Sequence, residues 1–166
     1  ALSGLAGLPP ETYLSVNASP DLICDRRFAE LLDGYPRDRL LIEISEHTMP
    51  DSQHDFAQAL ARLQRQGLHL AIDDVGAGYS GLQRIGVMAP DLLKIDRSLA
   101  DGIDRNPPPR AIVSALLYFA KETGAKVRVE GVETEAEAAV LQDLGVGFAQ
   151  GWLFGRPERL EQIKAA

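Results

Sequence analysis

The sequence predicts an α/β fold, a (β/α)8 TIM-like barrel with about six of its eight βα units inside the chain. Three observations lead there. Six short apolar runs alternate with segments of helical periodicity, as in consecutive βα units of one parallel sheet. Each run ends in a metal-ligating or proton-handling side chain, namely Asn17, Glu43, Asp73 with Asp74, Lys94, Glu130 and Gln150. Parallel strands bring all such ends to one face, where a barrel carries its chemistry. Finally, eight units ordinarily need about 250 residues, whereas six here occupy 166.

In chain order, Tyr13 to Asn17 reads as a strand, and Arg26 to Leu32 sets Phe28, Leu31 and Leu32 at helical spacing before Gly34. Leu40 to Ile44 forms the second strand, followed by a helix from about Asp51 with Phe56, Leu60 and Leu63 on one face. A third strand, Leu68 to Asp73, enters the glycine-rich Gly76-Ala77-Gly78-Tyr79-Ser80-Gly81, and a short helix closes before Pro90. The fourth strand is Leu92 to Asp96. Arg105 to Pro109 looks like a turn, Ala111 to Ala120 like an apolar helix stopped by Gly124, and Lys126 to Glu130 like a strand. Thr134 and Glu137 make a capping box for a helix ending near Gly145. Phe148, Ala149 and Gln150 belong to the sixth strand, and Pro157 to Lys164 to a closing helix. Leu2, Leu5 and Leu8 resemble the tail of a helix whose strand lies upstream. The whole of 1–166 is thus expected to be one domain lacking its N-terminal third, without interdomain linker or repeat.

Composition narrows the function. A net charge of −7 argues against a DNA-binding or anionic-membrane surface, both of which need a positive field. An anionic substrate would need bound cations. The single cysteine, Cys24, excludes an internal disulfide framework and is expected to be a small buried apolar residue of a reducing compartment. No run approaches the roughly 18 apolar residues that span a bilayer, so a cytoplasmic chain without membrane contact is expected.

Alternation along a barrel strand turns Glu43 inward while Ile42 and Ile44 pack under the helices, and it groups Arg128 with Glu130. Interior carboxylates are strongly disfavoured without compensating cations. Hard oxygen donors such as Asn17, Glu43, Asp73 and Asp74 suit Mg2+ or Mn2+. Two such ions sharing Asp73 would activate a water and stabilise an oxygen leaving phosphorus, with Lys94 orienting the water and Glu130 ligating the second ion or accepting a proton.

Read in order, Ser15-Val16-Asn17, Glu43-Ile44-Ser45-Glu46, Asp73 through Ser80, Leu93-Lys94-Ile95-Asp96-Arg97-Ser98, Val129 through Thr134, and Gln150-Gly151-Trp152-Leu153-Phe154-Gly155-Arg156-Pro157 resemble the successive motifs of the EAL family of bacterial cyclic di-GMP phosphodiesterases. The resemblance runs from about Tyr13 to Pro157. It implies a (β/α)8-type barrel that uses Mg2+ or Mn2+ to hydrolyse cyclic di-GMP to linear pGpG. It further implies that Asn17, Glu43 and Asp73 ligate one metal, and Asp73, Asp74 and Glu130 the second. Lys94 then matches the lysine near the attacking water, Glu46 the glutamate that steadies the loop after Asp74, and Gln150 the glutamine near that water and the metals. The loop and helix after Asp74 are implied to mediate homodimerisation and to couple signals from upstream regulatory or sensor domains. The Glu-Ala-Leu segment that names the family, with its metal-ligating glutamate, is expected upstream of Ala1, so catalysis by residues 1–166 alone is expected to be severely weakened. Val75, Ala77 and Gly81 depart from the usual loop residues but leave both aspartates in place. The alternative function is a catalytically inactive module that binds cyclic di-GMP or a partner protein.

Competing readings are weaker. Gly76 to Gly81 fits the dinucleotide fingerprint G-x-G-x-x-G, yet Asp73 and Asp74 would repel a pyrophosphate and two βα units precede it. His47, His54 and His69 share no metal-binding spacing. Glu133 and Glu135 fit ordinary charges at a helix start, Asp96 either a ligand-site residue or a structural hydrogen bond at a strand end, and Trp152 and Phe154 core packing.

Overall fold

Most of the apolar runs become strands because β-branched or leucine residues recur along them at alternate positions, as Leu14 and Val16, Ile42 and Ile44, or Val127 and Val129, and so share one face of the sheet. The computed structural model describes residues 12–48, 54–77 and 82–158 together with Leu5 and Pro9. Its strands are β1 (Leu14–Asn17), β2 (Leu40–Ser45), β3 (His69–Val75), β4 (Leu92–Ile95), β5 (Lys126–Val129) and β6 (Phe148–Ala149). Its helices are α1 (Pro20–Cys24), α2 (Arg26–Leu32), α3 (His54–Arg65), α4 (Leu82–Met88), α5 (Pro107–Thr123) and α6 (Glu135–Asp143). All pairings are parallel, and the strand order β1-β2-β3-β4-β5-β6 is the chain order. Sequential winding is that of a barrel. A doubly wound sheet reverses its order at the switch point where dinucleotides bind, and this sheet has no such reversal. Among the described residues β1 and β6 each pair with one neighbour, so the sheet is open.

One continuous core fills the space between sheet and helices. Ile42 and Ile44 of β2 are fully buried in it, with Phe56, Leu60 and Leu63 of α3 packed among the same cluster. Each such side chain contributes roughly 1.5–3 kcal/mol by leaving water. Glu43, between the two isoleucines, is also buried, on the concave side.

The helix ends explain several departures from the expected pattern. Pro107, Pro108 and Pro109 form the first turn of α5 rather than a turn before it, because proline fixes a helical φ and its missing N–H is not needed there. Gly124 ends α5 with φ 78°, a left-handed conformation that glycine adopts without strain. The short α1, unforeseen in the sequence, is capped by Ser19, whose hydroxyl accepts from the Leu22 N–H, and has Pro20 at its start. It turns Ile23 inward, so Cys24 is exposed rather than buried. On α2 Phe28 and Leu32 face the core while Leu31 is 55% exposed. Trp152 and Phe154 are each 59% exposed, not in the core, because Leu153 between them takes the inward position beyond the two-residue edge strand β6. The Arg156 guanidinium lies 4.6 Å from the Trp152 ring centre. Gly78 to Gly81, the start of α3 at Asp51, Leu2, Leu8 and most of the helix expected from Pro157 lie outside the described residues.

The capping box of α6 reaches further than its own helix. Glu137 is buried and accepts from the N–H groups of Glu133, Thr134 and Gly102, each at 3.0 Å, while Thr134 accepts from the Glu137 N–H. One carboxylate therefore ties the loop after β5 to the loop before α5. Burial opposes its charge, but the three backbone donors prevail and hold the carboxyl below the ordinary glutamate value of 4.5. A depressed value means that its stabilisation is complete above about pH 4.5 and is lost as pH falls through the lower folded value. Glu137→Gln is expected to cost about 1–2 kcal/mol at neutral pH and to flatten the acid limb of stability, read by urea unfolding between pH 3 and pH 7. An unchanged acid limb would contradict this role.

Candidate functional site

The strand ends carry a cluster of ionised groups centred on Lys94. This residue projects from β4 into the concave interior, with 7% of its side chain exposed. Its Nζ donates to Asp73 Oδ1 at 2.8 Å and Glu43 Oε2 at 2.9 Å, and stands 3.1 Å from Glu130 Oε1. Three carboxylates from the β2, β3 and β5 segments thus converge on one ammonium. Burial works against the charge of Lys94, but its hydrogen bonds to Asp73 and Glu43 and the nearby Glu130 outweigh that, so its pKa stands above the ordinary 10.5.

A bulge in β3 supplies the two aspartates. Adjacent strand residues normally point to opposite faces, yet the β3–β4 register shifts between Ile72 and Val75, and Asp74 adopts φ 59°. That left-handed conformation costs about 1 kcal/mol or more for a residue with a Cβ. Local bonds hold it: the Asp74 N–H donates to Asp73 Oδ1 at 3.0 Å, and Ser45 Oγ donates to Asp74 Oδ2 at 3.0 Å. The bulge leaves Asp73 on Lys94 and Asp74 against the end of β2. Beyond it, the buried Glu46 accepts from the Gly76 N–H at 3.0 Å and fastens the start of the following loop.

The other expected site residues are placed differently. Asn17 ends β1 in register with Glu43 and is exposed. Gln150 is fixed through its backbone, its N–H donating to Val129 O and its carbonyl accepting from the Val132 N–H, with its side chain in solvent. The next residue must be glycine, since a Cβ on Gly151 would lie 2.0 Å from the Val132 oxygen. Neither amide touches the Lys94 cluster among the described residues. Asp96 turns away and caps the turn after β4, accepting from the Ser98 N–H at 2.9 Å. Two participants were not assigned a role from sequence. Ser15 donates to Glu43 Oε1 at 2.5 Å, and Arg128 Nη2 stands 3.2 Å from Glu130 Oε1 and 3.5 Å from Glu43 Oε1. Their signal was the two-residue spacing that puts Ser15 beside Asn17, and Arg128 beside Glu130, on one strand face.

Among the described residues, no group of three His, Cys, Asp or Glu side chains is arranged to hold a metal ion by itself. The cations among these carboxylates are Lys94 and Arg128. The donor set nevertheless fits magnesium or manganese, being entirely carboxylate and amide oxygen, and its oxygens already converge on positive charge. Removing one member of a buried ion cluster leaves the others uncompensated. Lys94→Met is therefore expected to destabilise the metal-free protein by about 3–5 kcal/mol, measured by chemical unfolding in EDTA; a loss under 1 kcal/mol would show that the cluster is not held by its ammonium.

The family model of the EAL domain matches residues 1–157. The cyclic di-GMP phosphodiesterase RocR of Pseudomonas aeruginosa is 32% identical over 159 residues, covering 92% of this chain and 41% of RocR. The structure of the MucR phosphodiesterase of P. aeruginosa in complex with c-di-GMP superimposes with a TM-score of 0.83 at 30% identity, over 95% of this chain and 66% of that one. That of Klebsiella pneumoniae BlrP1 with manganese and cyclic di-GMP gives 0.85 at 35% identity, over 94% and 41%. The chain spans 25% to 41% of the first curated relatives it matches. With its sequentially wound parallel strands and the acidic cluster at their ends, the chain belongs to the EAL domain family.

Proposed function

We propose that the EAL-type domain to which residues 1–166 belong hydrolyses a phosphodiester of cyclic di-GMP to give linear pGpG. The single observation that carries the reading is the convergence of Glu43, Asp73 and Glu130 on Lys94 at one end of a parallel sheet. Family membership and the activity named for RocR support the substrate.

Asn17, Glu43 and Asp73 would hold one magnesium or manganese ion, and Asp73, Asp74 and Glu130 a second. Divalent cations bound there supply Lewis-acid polarisation of the phosphodiester and make water a stronger nucleophile at neutral pH. This chain's own groups do the rest. Lys94, kept as an ammonium by its carboxylates, donates to the attacking water or a phosphate oxygen and cannot serve as the base. Glu130 at the rim ligates the second ion or, alternatively, accepts a proton. Gln150, exposed just after β6, would have to turn in from solvent to reach that water, and Glu46 keeps the loop after Asp74 in place through Gly76. The negative protein field makes the cations necessary for an anionic nucleotide to approach.

The setting follows from the same reading. The domain acts in the cytoplasm; among the described residues no helix is long and apolar enough to cross a membrane. It pairs with a second copy through the loop after Asp74 and α4, where Leu82 and Val87 are exposed. Regulatory domains upstream set its activity, in keeping with the greater length of the relatives.

One observation favours a second reading, a binding module without turnover: Glu43 and Glu130 are already engaged by internal cations. Chromatography of cyclic di-GMP incubated with the chain and Mn2+ or Mg2+ separates the two. The expected outcome is pGpG, abolished by EDTA and reduced about 10²–10⁴-fold by Lys94→Met or Asp73→Asn. Nucleotide binding with no pGpG would favour the module, and neither binding nor turnover would overturn both.

A further inference from the structure

Arg128 is the second cation of the site, and neither the proposed chemistry nor the packing of the sheet calls for it. It sits on β5 as the register partner of Lys94 on β4, one inward position below Glu130. A hydrophobic residue at such a position would complete the interior at lower desolvation cost. Instead the guanidinium reaches toward the carboxylates, with Nη2 3.2 Å from Glu130 Oε1 and 3.5 Å from Glu43 Oε1. It does so at a cost, because Nε is left buried without a hydrogen-bond partner. Attraction to the carboxylates, and not satisfaction of its own donors, sets its position.

The charge count gives the arrangement its consequence. Glu43, Asp73 and Glu130 face two fixed cations, Lys94 and Arg128, so a single net negative charge remains among these five groups. Glu130 Oε1 is shared by both cations, and Glu43 is divided between them, Oε2 on Lys94 and Oε1 beside Arg128. A divalent ion taking either carboxylate must displace or sit beside a guanidinium that cannot shed its proton. Like charges at such range repel even at the effective dielectric of a protein rim.

We infer that Arg128 is a positioning residue, a built-in counter-ion that holds Glu43 and Glu130 in place without metal and competes with divalent cations for both. The inference rests on the proposed metal-dependent function and deepens it, making Arg128 the residue that sets how much divalent cation the site requires. Two effects of opposite sign follow. Loss of the charge weakens the metal-free fold and strengthens metal binding. A purely structural arginine would weaken both states alike.

The test uses the 166-residue chain, stripped with EDTA and dialysed, with Mn2+ binding read by titration calorimetry and Tm read with and without Mn2+. Arg128→Met is expected to bind Mn2+ roughly tenfold tighter than wild type, to melt lower in EDTA, and to gain more Tm on adding Mn2+. Arg128→Lys, which keeps the charge, is expected to retain wild-type affinity. With 26% of its side chain exposed, Arg128 can be replaced without opening a sealed core. Should Arg128→Met not fold without metal, Arg128→Gln, neutral but still a donor, is read with the same expected results. Equal Mn2+ affinity and equal Tm gain in wild type and the neutral variant would overturn the counter-ion role while leaving the proposed function intact. A wild-type chain that binds no Mn2+ would overturn both.

Discussion

One ammonium among three carboxylates is the constraint on which the rest of this structure depends. Glu43, Asp73 and Glu130 come from strands far apart in sequence, and their mutual repulsion would drive the strand ends apart without a cation between them. Lys94 closes that gap from β4, in the middle of the set. Parallel topology makes the encounter possible, since every strand delivers its last residues to the same rim. The site is thus a property of the whole sheet rather than of any one loop.

The scaffold keeps the rim rigid by tying its loops to backbone. Glu137 binds three N–H groups from two loops, Glu46 fastens Gly76, and Gly151 lies so close to Val132 that no side chain fits. The strained Asp74 is the exception, a local cost at the place where chemistry is expected, held by Ser45 and Asp73. A bulge there lets neighbouring aspartates serve the same rim, which a regular strand would forbid.

Much of this was legible in the sequence. Period-two alternation identified the inward Glu43 between Ile42 and Ile44, and all six strands lie where apolar runs predicted them. The capping box of Thr134 and Glu137 and the stop at Gly124 follow from local chemistry that sequence carries directly. What escaped notice depends on tertiary context. The β3 bulge is a register shift between two strands, and no single strand encodes it. Pro107 to Pro109 favour a turn and a helix start equally, and only the docking of α5 decides. Cys24, Trp152 and Phe154 look apolar enough for a core, but the direction of a short helix and the narrowness of β6 leave them outside. Arg128 was grouped with Glu130 by alternation, yet its reach to Glu43 spans 85 residues of chain and appears only when β2 and β5 face each other across the curve of the sheet.

An experimental structure of the metal-free chain that resolves the rim side chains tests the central claim most directly. The account predicts Lys94 Nζ within hydrogen-bonding distance of Glu43, Asp73 and Glu130 together, with Arg128 beside Glu43 and Glu130. A Lys94 side chain turned to solvent, with the three carboxylates parted and separately hydrated, would contradict it.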